Sequence, residues 1–379
     1  MHADYRCRHA GACCTAGWDI PVEGQSVAVL RGRVPEASAA WLETDAPPPG
    51  SVGVLRHRAD GSCVAFDRAA GSLCAIQRAC GHQALPVACQ QFPRVALIDD
   101  RGVHVTLSHF CPTAASLLFR EHPEPLTIVE CGAGELQRDR YEGFDATRTV
   151  PPFLKPGVTT GPAVAEMWKR FAVGQLSSPG FAAEDALARV ARAADTLRAW
   201  TPDSGTLESR ASAVLQSPLS ADRALAMAPD AAARLFSLVT STVPPGMGRP
   251  ELPGDVGEVD ARFVRPVWPQ HSRVVGRYLA ARSFGAWCAY QGDGLRTQVA
   301  VVAAALAVLR IECIRQAAHQ RSPLDDRMLL EAIRQADLLV VHQSSGEDLV
   351  RKLGGVERMS ASDYLDALGL SVCPSRGPG

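Results

Sequence analysis

The sequence predicts a mainly α protein with a small irregular α+β cysteine-cluster domain at its N-terminal end and a helical C-terminal domain. Three observations carry that expectation. Nine of the 12 cysteines lie in the first 131 of 379 residues. Residues 5–120 are short segments broken by Gly and Pro. Beyond residue 161, apolar residues recur at three- and four-residue steps, the period of a helix with one buried face. The division expected is residues 1–120 for the cysteine-cluster domain, 121–161 for a Pro/Gly-rich connecting segment, and 162–379 for the helical domain.

Along the first part, Val27–Leu30 and Val52–Leu55 read as strands, being short β-branched runs between turn residues. Val103–Leu107, Val-His-Val-Thr-Leu, alternates as a half-buried strand does. Ala46-Pro-Pro-Pro-Gly50 reads as a surface turn or a short polyproline piece. Thr113–Phe119 reads as a short helix with Pro112 in its first turn. In the second part, Ala183, Leu187, Val190, Ala194 and Leu197 trace one apolar face over Ala183–Trp200. Pro229 starts another helix, with Leu235 and Val239 inward. Val274–Trp287, Val299–Gln316 and Asp326–Val341 complete the set, and Ser322-Pro323-Leu324-Asp325 reads as the cap and first turn of the last. No internal repeat is present.

Composition narrows the function. Hydrophobic residues are 46% and charged residues 21%, a globular balance, and the formal net charge is −1, so no global basic field draws the chain to nucleic acid or an acidic membrane. Only Lys155, Lys169 and Lys352 among the 39 cations are lysines, a bias that fits a GC-rich genome. The longest apolar run, Val299 to Leu309, is far short of the roughly 20 residues that span a bilayer and reads as a buried core helix. The opening Met-His-Ala-Asp-Tyr-Arg-Cys-Arg has no apolar stretch behind its charges, so the expected compartment is the cytoplasm.

In a reducing compartment a dense group of thiols points to metal binding or redox chemistry rather than to disulfides. The spacing is Cys7-x5-Cys13-Cys14, then Cys63-x10-Cys74-x5-Cys80-x8-Cys89-x21-Cys111. No C-x2-C occurs, which excludes a zinc ribbon and a thioredoxin-like dithiol. The bacterial ferredoxin run and the C-x3-C-x2-C triplet of radical enzymes are absent too. Folding must therefore gather the ligands from separate loops. Cys13 and Cys14 point to opposite sides if the backbone is extended, and converge on one metal if it turns tightly, as Gly11 and Gly17 allow. Soft thiolates select zinc, copper(I) or iron–sulfur over magnesium or calcium. Arg6, Arg8, Arg78 and Arg94 neighbour cysteines and read either as counter-charges to the thiolates or as solvated surface. His82 and His109 are the imidazoles nearest to them in sequence. Cys131, Cys288, Cys313 and Cys373 stand apart, and Cys288 and Cys313 read as small hydrophobic residues in helices.

Four blocks carry a family resemblance. Tyr5-Arg-Cys7 … Gly11-Ala-Cys13-Cys14-Thr-Ala-Gly17-Trp18 resembles the opening of the YkgJ-type cysteine-cluster family, described as zinc- or iron-chelating. Cys63-Val-Ala-Phe-Asp67 with Gly71-Ser-Leu-Cys74-Ala-Ile-Gln77 resembles its second block. Cys89-Gln-Gln-Phe92-Pro93-Arg94 and Leu107-Ser-His-Phe-Cys111-Pro112 resemble the third and the closing block. Within that group the wording is nearest to the flagellin lysine N-methylase family. The resemblance covers about residues 5–113 and implies Cys7, Cys13, Cys14, Cys63, Cys74, Cys89 and Cys111 as metal ligands, with Cys80 an addition that has no counterpart. It also implies an iron–sulfur cluster (a [4Fe–4S] centre) or zinc, S-adenosylmethionine as methyl donor, and flagellin or another protein as substrate. The alternatives are a non-catalytic zinc- or iron-chelating scaffold and a metal or redox sensor with a helical partner-binding domain.

Leu126–Gly134 superficially resembles a strand leading to an acid–Gly-x-Gly cofactor loop, but the strand–helix alternation of a doubly wound fold does not follow it. Methyl transfer to lysine needs the amine deprotonated. Glu130, Glu135, Asp139 and Tyr141 are candidates for that base by position alone, so no catalytic residue is assigned.

Overall fold

A computed structural model describes residues 2–45, 47–69, 71, 73–121, 124–130, 143–217 and 226–370. It is 57% helix and 10% strand, which makes the fold mainly α with small sheets. The cysteine-rich part opens with 3₁₀ turns at His2–Asp4 and Ala12–Cys14, then β1 (Pro21–Val22), α1 (Gly24–Arg33), α2 (Pro35–Trp41), β2 (Leu42–Glu43) and β3 (Gly53–Leu55). β3 is the centre of a three-stranded antiparallel sheet, pairing Val54 with Pro21 and Leu55 with Leu42. Val27–Leu30 is therefore not a strand. It lies in α1, where Val27 and Leu30, three residues apart, are both buried. The local β-branched preference yields to burial of that helical face.

A two-residue hairpin follows, β4 (Phe66–Asp67) with β5 (Leu73–Cys74), then α3 (Ala75–Cys80) and α4 (Val87–Gln91). β6 (Arg94–Asp99) and β7 (Gly102–Leu107) form the longest hairpin, as the alternation over Val103–Leu107 predicts. α5 (Pro112–Ser116) has Pro112 in its first turn and tightens into a 3₁₀ turn through Phe119. β8 (Gly143–Asp145) returns to pair in parallel with β6. Within the connecting segment, β9 (Phe153–Lys155) and β10 (Val158–Thr159) make a further small hairpin.

The rest is helical: α6 (Gly161–Leu176), α7 (Ala183–Arg198), α8 (Leu207–Gln216), α9 (Pro229–Thr240), α10 (Val256–Val259), α11 (Ser272–Phe284), α12 (Cys288–Gln291), α13 (Leu295–Gln320), α14 (Asp326–Asp337), α15 (Gly346–Leu353) and α16 (Ala361–Ala367). All five residues expected on the inner face of α7 are buried, as are Leu235 and Val239 of α9. Several boundaries differ from expectation: α13 begins four residues before Val299 and ends four after Gln316, and α14 gives way at Leu338 to a π-helical turn through Gln343. α11 stops at Phe284, and Trp287 begins the turn into α12. The cap of α14 is Asp325, whose carboxylate accepts from Met328 N at 2.8 Å. Ser322 does not cap it, because buried Leu324 is held in extended chain by its N–H bond to Phe263 O at 2.9 Å. Cys288 and Cys313 are buried within helices, and Cys131 and Cys373 lie outside the described residues.

α13 is the axis of the helical part, about 39 Å long at 1.5 Å per residue, and α7, α9, α11 and α14 pack around it. By length and composition it would cross a membrane, with a mean hydropathy of 1.8, but 94% of that apolar window is buried within the fold. Its polar positions are matched individually. The Glu357 carboxylate accepts from Thr297 N at 2.9 Å and Thr297 Oγ1 at 3.0 Å, placing an acid at the positive end of the helix. Arg310, 1% exposed in side chain, pairs with fully buried Asp260 at 2.6 Å and lies over the Trp268 ring. Trp268 in turn donates to Glu184 at 2.8 Å.

α6 and α11 approach closely because of one residue. A Cβ on Gly276 would sit 2.4 Å from Leu176 O, which is backbone and cannot swing aside. Gly276→Ala is expected to lower stability by about 1–3 kcal/mol, the usual cost of overpacking, measured by urea unfolding. An unchanged midpoint would show that the two helices separate freely.

Candidate metal centre

Positive φ at Gly11 (74°) and Gly17 (75°) makes the tight turn that the vicinal cysteines require. Cys13 and Cys14 consequently fall on the same side, with their Sγ atoms 3.8 Å apart. Four thiolates around one zinc at about 2.3 Å stand about 3.8 Å from one another, so this pair already has the edge length of a tetrahedral thiolate site. The second block is laid against it by Cys63 N, which donates to Cys14 O at 2.8 Å. The β4–β5 hairpin pairs Phe66 with Cys74, and Ala75 N bonds to Ala65 O. Cys74 therefore stands at the N-terminal cap of α3. Cys89 comes from α4, whose first turn is held by Glu23 accepting from Val87 N at 3.2 Å.

The five thiols of Cys13, Cys14, Cys63, Cys74 and Cys89 lie within electrostatic reach of one another. Four of them, Cys14, Cys63, Cys74 and Cys89, belong to one apolar cluster with Ile20, Val22, Leu55 and Ile76. Burial pushes the thiols of Cys63 and Cys74 up and that of Cys89 well up. Within the vicinal pair, the shared hydrogen bond lowers Cys13 and raises Cys14. At Cys14, Cys63, Cys74 and Cys89 the pocket favours the neutral thiol unless a cation is present, which is the electrostatic demand a thiolate metal site meets.

Cys7 and Cys111 are not in that group. Tyr5 lies between them: its hydroxyl is 3.7 Å from Cys111 Sγ, and burial together with both thiols raises its pKa. Cys7 is exposed, and its sulfur accepts from His9 N at 3.4 Å. Cys80 ends α3, six residues and about 9 Å of helix beyond Cys74, and packs against the same apolar cluster. Among the described residues, no three His, Cys, Asp or Glu side chains close to the spacing of a single metal ion. The donor set fits a soft metal in kind.

The neighbouring arginines divide. Arg78 pairs with Asp67 at 3.0 Å and Arg94 lies over the Tyr5 ring, while Arg6 and Arg8 are exposed. His82 is exposed in a 3₁₀ turn. His109 is fully buried and engaged elsewhere: its N–H donates to Asp337 of α14, and its Nδ1 is 3.4 Å from the same carboxylate.

That contact is the centre of a seam between the cysteine-rich part and the helices. Arg282 of α11 lies 3.4 Å from Asp337 and donates to Leu107 O, and Arg334 donates to Phe110 O at 3.0 Å. His2 Nε2 is 3.2 Å from His109 Nε2. Burial raises the Asp337 carboxyl, but Arg282 and His109 outweigh it and hold it below the usual range. Ser108 Oγ and His342 Nε2 hydrogen-bond at 2.7 Å, and burial brings His342 down to about 4. Trp18, the last residue of the first block, packs its ring against Phe92, Phe110 and His342. Spacing in the sequence did not reveal this seam. Its one local signal is an acid in an apolar slot: Asp337 follows Leu329 and Ile333 at steps of four.

Of the four candidate bases, Glu130 is an exposed partner of Arg170 on the surface. Glu135, Asp139 and Tyr141, with the Gly132–Gly134 loop, lie outside the described residues. Residues 126–130, ahead of that loop, form no strand. No protein-family model, curated protein or solved structure matches this chain.

Proposed function

We propose that the chain is a metal-binding cysteine-cluster protein, in which a domain of residues 1–120 holds an iron–sulfur cluster and rests on a helical domain of residues 162–379. The observation that carries this reading is the convergence of Cys14, Cys63, Cys74 and Cys89, from four separate segments, on one apolar cluster, with Cys13 beside Cys14. Cys13, Cys14, Cys63, Cys74 and Cys89 would hold the metal, with Cys7 and Cys111 beside Tyr5 as the outer pair of the implied set and Cys80 against the same apolar cluster at the far end of α3. A bound cluster supplies redox capacity or a Lewis-acidic iron. The chain's own residues turn the vicinal pair inward, exclude water through Ile20, Leu55 and Ile76, and fix the pocket to the helices through Trp18.

The resemblance extends the proposal to transfer of a methyl group from S-adenosylmethionine to a protein lysine, with flagellin or another protein as partner, in the cytoplasm. Its support is the wording of the four blocks, and no base is assigned. The rival reading is a zinc-chelating, non-catalytic scaffold, which the 3.8 Å Sγ–Sγ edge favours.

Purification without oxygen followed by metal analysis separates the two. About four irons per chain with broad absorption near ~400 nm supports a [4Fe–4S] centre. Colourless protein with stoichiometric zinc supports the scaffold, and metal-free protein overturns both. Cys63→Ser is expected to abolish metal retention, whereas Cys80→Ser is expected to keep it, both read by metal content per chain.

A further inference from the structure

A second site lies away from the thiols. Between α6, the β6–β7 hairpin and the Phe284–Tyr290 segment is a narrow cavity of about 30 Å³, walled by Leu97, Trp168, Phe284, Ala286 and Tyr290. Lys169 of α6 lines it, 8% exposed, and its Nζ has no hydrogen-bond partner among the described residues. The ammonium is 5.2 Å from the centre of the Phe284 ring.

The other two lysines are conventional. Lys155 donates to Arg198 O and Trp200 O at 3.0 and 2.8 Å, and Lys352 to Ser241 Oγ at 2.6 Å. The acids nearest Lys169 are engaged by other donors. Asp99 takes Arg101, His104 and Tyr290, with Tyr290 at 2.6 Å, and Glu166 takes Arg101 and Arg170. Burial, and then the Arg101 cation, bring Lys169 down to about 8, against the pull of Asp99 and Glu166 and with a further push from Arg170.

A desolvated lysine beside another cation, with no oxygen to hold its proton, is the arrangement that makes an amine nucleophilic near neutral pH. We propose that Lys169 captures the carbonyl of a small uncharged aldehyde of one or two carbons, and holds it as an imine. The Nζ lone pair attacks the carbonyl carbon, nitrogen gives up a proton to water, and the carbonyl oxygen takes one, giving a carbinolamine. Loss of that oxygen as water forms the C=N bond, so amine plus carbonyl yields imine plus one water. Protonated, the iminium keeps its positive charge against the Phe284 ring, where the ammonium now lies. The uncharged ligand follows from Arg101, whose fork is already occupied by Asp99 and Glu166. The small size follows from the volume of the cavity.

The test uses the full chain with acetaldehyde and sodium cyanoborohydride, which reduces an imine to a stable ethylamine, followed by peptide mapping. Lys169 is expected to be ethylated at least roughly tenfold faster than Lys155 and Lys352. The rate should rise with pH through a midpoint near 8. Lys169→Met, with helix content unchanged by circular dichroism, should remove the fast reaction and leave the other two rates alone. The wild-type comparison stands even if that variant misfolds. Labelling of Lys169 no faster than the other lysines overturns the proposal.

Discussion

Stripping the metal from protein purified without oxygen is expected to unfold the cysteine-rich part and leave the helices standing. That part has strands of two to six residues and a small apolar cluster, so little besides the thiol pocket closes its loops. Where metal ties together such a domain, its binding free energy is folding free energy, about 10–16 kcal/mol for structural zinc in small domains. The helical part has its own continuous core around α13 and no thiols at the proposed centre. Chelation should therefore make Cys63 and Cys89 accessible to a thiol reagent, with most helical ellipticity retained. Protected thiols and an unchanged melt after complete metal removal would sink the proposed role.

Asp260→Ala should be the most damaging single change in the helical part. The Asp260 side chain is fully buried and accepts from Arg310 at 2.6 Å and from Arg265 at 2.9 Å. Removing it leaves the Arg310 guanidinium on α13 buried without its anion, which costs about 3–5 kcal/mol. For a cooperative unit of this size, that corresponds to roughly 10 °C in the thermal midpoint. Arg265 is half-exposed and can turn to water, so the loss is assigned to Arg310. The double variant Asp260→Leu, Arg310→Met should recover much of the loss by replacing the pair with apolar volume. A small effect from Asp260→Ala alone would show that water reaches Arg310.

The helices were legible because a repeat of three and four residues states which face is buried, and α7 and α9 bury the residues expected of them. Val27–Leu30 misled because its β-branched residues also fit a helical face, and only packing chooses between the two. Asp325 displaced Ser322 as the cap of α14 through a contact with Phe263, about 60 residues earlier in the chain. At the candidate centre, the uneven cysteine distribution was readable and the Gly-flanked turn at Cys13-Cys14 was an open alternative that the structure closes. The grouping of Cys89 with Cys63, apart from Cys7 and Cys111, was not readable, since hairpins and helix ends far apart in sequence create it. The His109–Asp337 contact joins residues 228 positions apart, beyond any local pattern. Lys169 did carry a trace: it shares the buried face of α6 with Val164, Trp168, Ala172 and Leu176.

The buried arginines give the scarcity of lysine a second meaning. Arg277 donates from one guanidinium nitrogen to the carbonyls of Leu118 and Arg120, joining α11 to the end of the cysteine-rich part. Arg296 holds the carbonyls of Val356 and Met359 and the carboxylate of Asp195 at once. Arg296, and Arg310 on Asp260, reach their partners from two nitrogens of a planar fork, which the single nitrogen of lysine does not offer. A lineage drifting toward AT-rich codons would exchange its surface arginines for lysine with little consequence. At positions 296 and 310 that drift would meet selection, so these sites should remain arginine in descendants whose surfaces have changed.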